Sequence, residues 1–259
     1  MANVSVIGCG HMGSALIRGL SRSDSHRIAA GDVDPDALEP IAGLVAETTT
    51  DPAAAAADAE FVFAALTPEV VLPAVADLGL GADQTLVSTA AGVSTDQLAA
   101  VTDARVVRIM PNLAAEWGEM ATAVTGPGVS PELLALLEEV GVAVELEESL
   151  MDTATALNGS GPAFVFYFIR ALQEAAMECG LDRREARLLA TQTFKGAAEM
   201  VLHTDEELDS LIDSVCTPGG TTIEGMRIFE DSALETTVGE AVEAARERSA
   251  ELAEEAGDE

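Results

Sequence analysis

Two stretches of this chain carry residue types spaced for chemistry. Val215-Cys216-Thr217-Pro218-Gly219-Gly220-Thr221-Thr222-Ile223-Glu224-Gly225 sets a proline, glycines and three threonines between two helical patterns. That composition presents backbone N–H groups and hydroxyls at a helix start, a surface suited to a small carboxylate or a polar ring nitrogen. The other stretch, Val4-Ser5-Val6-Ile7-Gly8-Cys9-Gly10-His11-Met12-Gly13, reads as strand, G-x-G-x-x-G and helix. Gly8 permits the tight turn, Gly10 lets backbone approach a pyrophosphate, and Gly13 lets the helix pack close to the strand. The same turn also serves proteins that bind no nucleotide there. Asp32 ends the second strand pattern, 19 residues after Gly13. Its carboxylate either pairs with a ribose 2′-OH, repelling a 2′-phosphate and favouring NADH over NADPH, or is one more acid on an acid-rich surface.

Other loops stand where open parallel sheets bind ligands, at the carboxyl ends of strand patterns. Thr67-Pro68 follows one and Ser88-Thr89-Ala90-Ala91-Gly92 another. Each is either a floor for a nicotinamide ring or an ordinary strand–helix loop. Pro111-Asn112 closes a further strand, with Asn112 offering donor and acceptor to a carboxamide or capping the next turn. Ser160-Gly161-Pro162 starts a helix whose N–H groups face a ligand or cap a buried end. No metal site is expected, because Cys9, Cys179 and Cys216 are isolated in sequence. Cys216 lacks a nearby base, so nucleophilic catalysis is not expected of it. His26 and His203 read as surface residues.

The elements that must position these groups fall into two regimes. Up to residue 147, apolar runs at Val4–Gly8, Arg27–Gly31, Phe61–Leu66, Thr85–Ser88, Val106–Met110, Thr122–Thr125 and Val142–Leu146 alternate with helical patterns. This rhythm predicts a doubly wound, mostly parallel sheet of the Rossmann type. From Ser149, where Ser149 and Asp152 suggest a capping box, every segment reads as helix. The expected division is therefore a dinucleotide-binding domain over 1–148 and an all-helical substrate and dimerisation domain over 149–259. Ala163–Leu172 is apolar nearly all round, including Phe164, Phe166, Tyr167 and Phe168. So small a domain has little interior to bury it, and the missing cover is expected from a second subunit.

At the level of motifs the chain resembles the pyrroline-5-carboxylate reductase family. The resemblance is carried by Ile7–Gly13, Met110-Pro111-Asn112, Ala156-Leu157-Asn158-Gly159-Ser160-Gly161-Pro162-Ala163-Phe164 and Pro218–Gly225, in the family's order. It implies reduction of the cyclic imine 1-pyrroline-5-carboxylate to L-proline with NADH or NADPH, by homodimers interlocked through the helical domain and commonly assembled into decamers. It implies that Gly8, Gly10, His11, Met12 and Gly13 hold the pyrophosphate. By the same resemblance Ala90, Ala91, Gly92, Pro111 and Asn112 line the nicotinamide. Thr217, Gly219, Gly220 and Thr221 cradle the substrate carboxylate, and Thr222 meets the ring nitrogen as the catalytic residue. Thr67-Pro68 stands where the family usually has Lys-Pro, and Leu113-Ala114-Ala115 where it has Thr-Pro-Ala. Rival readings are a related imine or β-hydroxyacid reductase, which usually calls on a lysine or acid in the first inter-domain helix, and a non-catalytic NAD(P)-sensing protein of the same fold.

Charge narrows the partners. The chain of 259 residues has 45 acidic and 13 basic side chains, a net charge of −32, and Lys195 as its single lysine. Nucleic acid and anionic membranes are excluded as partners. With 48% apolar residues the chain is not disordered. Acid-rich, lysine-poor composition resembles proteins of salt-loving cytoplasms, where molar salt shortens the Debye length to about 3 Å. No secretory signal or membrane span is read, and the isolated cysteines fit a reducing cytoplasm.

Overall fold

The computed structural model describes residues 1–23 and 25–257. Eight strands among them form one sheet: β1 (Asn3–Ile7), β2 (Arg27–Gly31), β3 (Glu47–Thr49), β4 (Phe61–Ala64), β5 (Thr85–Ser88), β6 (Arg105–Met110), β7 (Met120–Thr125) and β8 (Gly141–Glu145). Their order is β3-β2-β1-β4-β5-β6-β7-β8. All neighbours run parallel except β6 against β7. The connecting helices are α1 (His11–Leu20), α2 (Pro35–Leu38), α3 (Pro52–Ala56), α4 (Pro68–Leu78), α5 (Thr95–Ala99) and α6 (Pro131–Glu138). They are followed by α7 (Met151–Ala154), α8 (Gly161–Glu178), α9 (Arg183–Leu202), α10 (Leu208–Val215), α11 (Thr221–Glu230) and α12 (Leu234–Gly257).

Alternation along the strands fills both faces of the sheet. Phe61 and Phe63 of β4 join the cluster that includes Leu16, Ile17, Leu133 and Leu137 of α1 and α6. Val62 and Ala64 join the opposite cluster with Val71, Val75 and Leu98 of α4 and α5. Covered on both faces, β4 reads as a continuous apolar run instead of an alternating one. Several helices start on a capping side chain: Asp34, Asp51 and Ser130 each accept a backbone N–H and precede a proline at the first turn. Two of the many acids are thereby structural.

The chain forms two compact units. One comprises Met1–Ser160 and the chain from Ala244 onward; the other is Gly161–Glu243. Residues 149–160 pack with the sheet, because Met151 and Ala154 are buried beside Met110 and Ala123. No capping box forms at Ser149; Asp152 Oδ1 instead accepts from Ser249 Oγ at 2.8 Å. Within the helical unit α8 and α9 pack together, yet α8 leaves Phe166 67% and Tyr167 62% exposed. A single chain thus leaves uncovered the apolar girth that the sequence places there.

Candidate active site

The turn after β1 is built as the glycine spacing requires. Gly8 has φ +86°, a conformation costly for any residue with a Cβ, and its N–H donates to Gly31 O at 2.9 Å. A Cβ on Gly13 would run into the Gly8 carbonyl. Gly10 caps α1 through its backbone alone, with no side-chain bond at that helix start. The N–H groups of His11, Met12 and Gly13 therefore lie in the first turn, where a helix has no acceptors of its own and an anion is favoured. Gly10 and His11 are exposed there.

Asp32 is fixed against this turn. Its Oδ2 accepts from Cys9 N–H at 2.6 Å and its Oδ1 from Asp34 N–H at 2.9 Å. Each carboxylate oxygen retains a further lone pair for a hydroxyl. Burial, and then the Asp32 carboxylate, push the Cys9 thiol up to about 12, so it stays protonated at neutral pH and acts as a small apolar group. A cleft of about 440 Å³ opens beside Asp32, within the usual size of small-molecule sites. Its walls are apolar at Pro52, Leu66 and Val70 and acidic at Asp32, Asp51 and Asp77. Leu66 and Val70 escaped sequence reasoning because single apolar residues at a strand end and a helix start carry no spacing signal.

Of the other candidate loops in the sheet unit, the one at Thr67-Pro68 is open at Thr67, and those at Ala90–Gly92 and Pro111-Asn112 are closed. Thr67 and Pro68 begin α4 as N-cap and first helical residue. The Thr67 hydroxyl, and then the residue's own backbone, hold the Glu69 carboxyl below the usual carboxylate range. The segment Ala90–Gly92 is nearly enclosed, with φ +77° at Gly92 and the backbone of Ala253 in α12 where its Cβ would go. Pro111 and Asn112 are buried. Asn112 Oδ1 accepts from Ala114 N–H at 3.1 Å, so this residue does cap the following 3-10 turn, Leu113–Trp117. Trp117 is 70% exposed and lies outside any core cluster. His26, expected at the surface, has its side chain enclosed between Ala2 N–H and Glu139, 2.9 Å away.

In the helical unit the threonine loop is a turn. Gly220 N–H donates to Thr217 O at 2.8 Å, and Gly219, after Pro218, has φ +73°. That is a type II turn, with proline and glycine in the positions its geometry demands. A Cβ on Gly220 would collide with Thr217 Oγ1. Gly220 is also the cap of α11 and provides no side-chain acceptor, so the N–H groups of Thr221, Thr222 and Ile223 start the helix bare. Thr217, Gly219, Thr221 and Thr222 are exposed on this unit. The nucleotide-type residues thus gather in the sheet unit, and the threonine loop gathers in the helical unit. Among the described residues no cluster of His, Cys, Asp and Glu could hold a metal ion.

The family model for pyrroline-5-carboxylate reductase dimerisation matches residues 148–252, and the model for NADP oxidoreductase, coenzyme F420-dependent, matches residues 3–92. The pyrroline-5-carboxylate reductase of Methanosarcina acetivorans is 37% identical over 262 residues, 96% of this chain and 97% of its own. The chain belongs to the pyrroline-5-carboxylate reductase family. Among solved structures, the pyrroline-5-carboxylate reductase of Coxiella burnetii superposes with a TM-score of 0.87 at 30% identity, covering 97% of this chain and 98% of its own. The pyrroline carboxylate reductase of Plasmodium falciparum, solved with NADP bound, gives 0.86 at 26% identity over 97% and 98%. Family membership carries with it a dimerisation domain and a nicotinamide-dependent type of chemistry.

Proposed function

We propose that this protein is a pyrroline-5-carboxylate reductase, an oxidoreductase acting on a C=N bond that converts 1-pyrroline-5-carboxylate to L-proline. The observation that carries the reading is the type II turn Thr217–Gly220 leading into the bare start of α11, in a chain of this family. Unpaired N–H groups at the start of a ten-residue helix suit a small carboxylate. Thr217, Gly219, Gly220 and Thr221 are assigned to that carboxylate. Because Gly220 N–H is spent on the turn, Gly220 acts by shape. Thr222 is assigned to the ring nitrogen, as donor or as the group that positions a water there. Protonation at that nitrogen makes the ring carbon electrophilic.

The residues present fit a nicotinamide dinucleotide: a turn in which Gly8 and Gly13 admit no Cβ, a bare helix start, and an oriented carboxylate beside an apolar-walled cleft. Gly8, Gly10, His11, Met12 and Gly13 would hold its pyrophosphate. Thr67, Pro68, Ala90, Ala91, Gly92, Pro111 and Asn112 would line its nicotinamide half. When bound, this group supplies the hydride. The protein's own task is proximity and orientation, for which effective molarities of about 10⁵–10⁸ M are attainable in well-oriented systems. The functional division adopted is 1–148 for the nucleotide and 149–259 for substrate and dimerisation, through the exposed face of α8. Dimers of this kind, alone or built into a decamer, would work in a cytoplasm.

NADH is the preferred donor in this reading. Asp32, Asp51 and Asp77 face the cleft, and no Arg or Lys lies between residues 28 and 104 to receive a 2′-phosphate. The test follows absorbance of NADH and NADPH separately with pyrroline-5-carboxylate, at high and low KCl. Substrate-dependent oxidation is expected, with kcat/KM at least about tenfold higher for NADH, a difference of about 1.4 kcal/mol. Asp32→Ser should narrow that ratio by raising the NADPH arm. No oxidation with either donor would reject the activity; a wild-type preference for NADPH would reject the role of Asp32. The low-KCl arm should also show a lower melting temperature and dissociating subunits, because self-repulsion at a net charge of −32 is then unscreened. An unchanged melting point and assembly in dilute buffer would refute the adaptation to salt.

A further inference from the structure

Strands β6 and β7 pair as far as Met110 opposite Ala123. The residue after β6 is Pro111, which has no N–H to continue a ladder. Beyond this point the two strands are joined by a side chain. Asn158 Nδ2 donates to Met110 O at 2.6 Å and to Ala121 O at 2.9 Å, one carbonyl on each strand. Both partners only accept, so the NH₂ end of the amide must face them. In return, Asn112 Nδ2 donates to Asn158 O at 3.3 Å. Asn158 is presented by a π-turn, Thr155–Gly159, whose wide ring Ser160 N–H closes onto Thr155 O at 2.9 Å. Such one-turn insertions shift a side chain out of the ordinary helical register and recur at functional sites.

We propose that Asn158 is a positioning residue for the nicotinamide half of the cofactor. It fixes the carbonyl immediately before Pro111-Asn112 and, through its own carbonyl, the Asn112 side chain, so the segment that receives the ring is set from two directions. The inference rests on the reading above that Pro111 and Asn112 line the nicotinamide. A residue that merely stapled the fold would weaken every ligand alike. A positioning residue should spare ligands that lack the ring.

The test uses the full-length protein in high KCl with Asn158→Ser, Asn158→Ala and Asn158→Asp. The affinities of ADP-ribose and of NADH are measured by titration calorimetry, alongside kcat with pyrroline-5-carboxylate. Serine keeps one donor, alanine none, and aspartate sets an acceptor against two carbonyl oxygens. The expected order of kcat is therefore Asn, Ser, Ala, Asp, with alanine down about tenfold, since small misplacements of a reacting group can cost up to about 10². NADH affinity should follow the same order, while ADP-ribose affinity stays within about twofold because its contacts lie along β1, α1 and β2. Equal loss for both ligands, or no loss for either, overturns the proposal. A wild-type protein inert toward pyrroline-5-carboxylate would instead overturn the assigned reaction, and the paired binding measurement would still decide the role of Asn158.

Discussion

Replacing Thr222 by alanine is expected to lower kcat with pyrroline-5-carboxylate about 100-fold, the low end of what a positioned proton donor contributes. The expectation follows from where the side chain sits. Thr222 is the second residue of α11, exposed on its unit, and its neighbours Thr221 and Ile223 keep their N–H groups for the substrate carboxylate whatever residue stands at 222. Removing the hydroxyl should therefore delete the partner proposed for the ring nitrogen and leave the proposed anion contacts in place. KM should change little and kcat should carry the loss. Affinity for NADH should stay within about twofold, because the glycine turn and Asp32 belong to the other compact unit. The melting temperature should not fall, since alanine is the better helix former at an exposed position. Thr222→Ser restores the hydroxyl and should recover most of the turnover. An alanine variant retaining kcat within about threefold would remove Thr222 from proton delivery and leave orientation by the helix start as the whole of the protein's contribution.

What the sequence disclosed of this fold depended on which force made each element. Strands β1, β2, β4, β5, β6 and β7 are apolar runs or contain one, and hydrophobic burial left its pattern in them; β8 carried an apolar run as well, yet Val142 and Val144 stand 56% and 50% exposed on it. Strand β3 is Glu47-Thr48-Thr49, half exposed and held by backbone pairing to Ala29–Gly31. Backbone pairing writes nothing into side-chain pattern, so β3 had no signature. The π-turn at Thr155–Gly159 was hidden for a related reason: its ring is a backbone arrangement, and Ala-Leu-Asn-Gly reads as ordinary helix followed by a stop. Ser149 and Asp152 had the spacing of a capping box, yet Asp152 was claimed by Ser249, 97 residues away, a competition that local reading cannot weigh. The glycines were the most legible part of the site. A positive φ at Gly8 or Gly219, and a Cβ collision at Gly13 or Gly220, are constraints that only glycine meets. Asn112 illustrates the opposite case. Its type allowed a cap or a ligand contact, and geometry alone shows the cap made and the amide turned toward Asn158.

The other large effect is expected on stability, at Glu148. The Arg108 guanidinium lies inside the sheet unit with its side chain 6% exposed, and its charge partner is Glu148, with Nη1 to Oε1 at 3.4 Å. Among the described residues Arg108 Nε and Nη2 meet no protein acceptor. Glu148 does more than pair with Arg108: Oε1 accepts from Thr95 N–H at 2.8 Å and Oε2 from the Thr95 hydroxyl at 2.5 Å. It therefore serves as a remote cap for α5, the helix that follows the Ala90–Gly92 segment. Glu148→Ala strands a buried cation and two donors on Thr95. Breaking a buried pair from one side costs about 3–5 kcal/mol, and because Glu148 is itself one-third exposed the lower part of that range applies. Thermal unfolding in high KCl should show a fall of roughly 6–12 °C, at about 2–4 °C per kcal/mol for a chain of this size. Arg108→Met should be far milder, since it removes the charge, fills a similar volume and leaves the Glu148–Thr95 bonds intact. In the double variant Arg108→Met with Glu148→Gln, the amide keeps an acceptor for Thr95 and no buried charge remains, so most of the loss should be recovered. If Arg108→Met destabilises as much as Glu148→Ala, the guanidinium is itself a hydrogen-bonding hub and the uncompensated-charge account of this network is wrong.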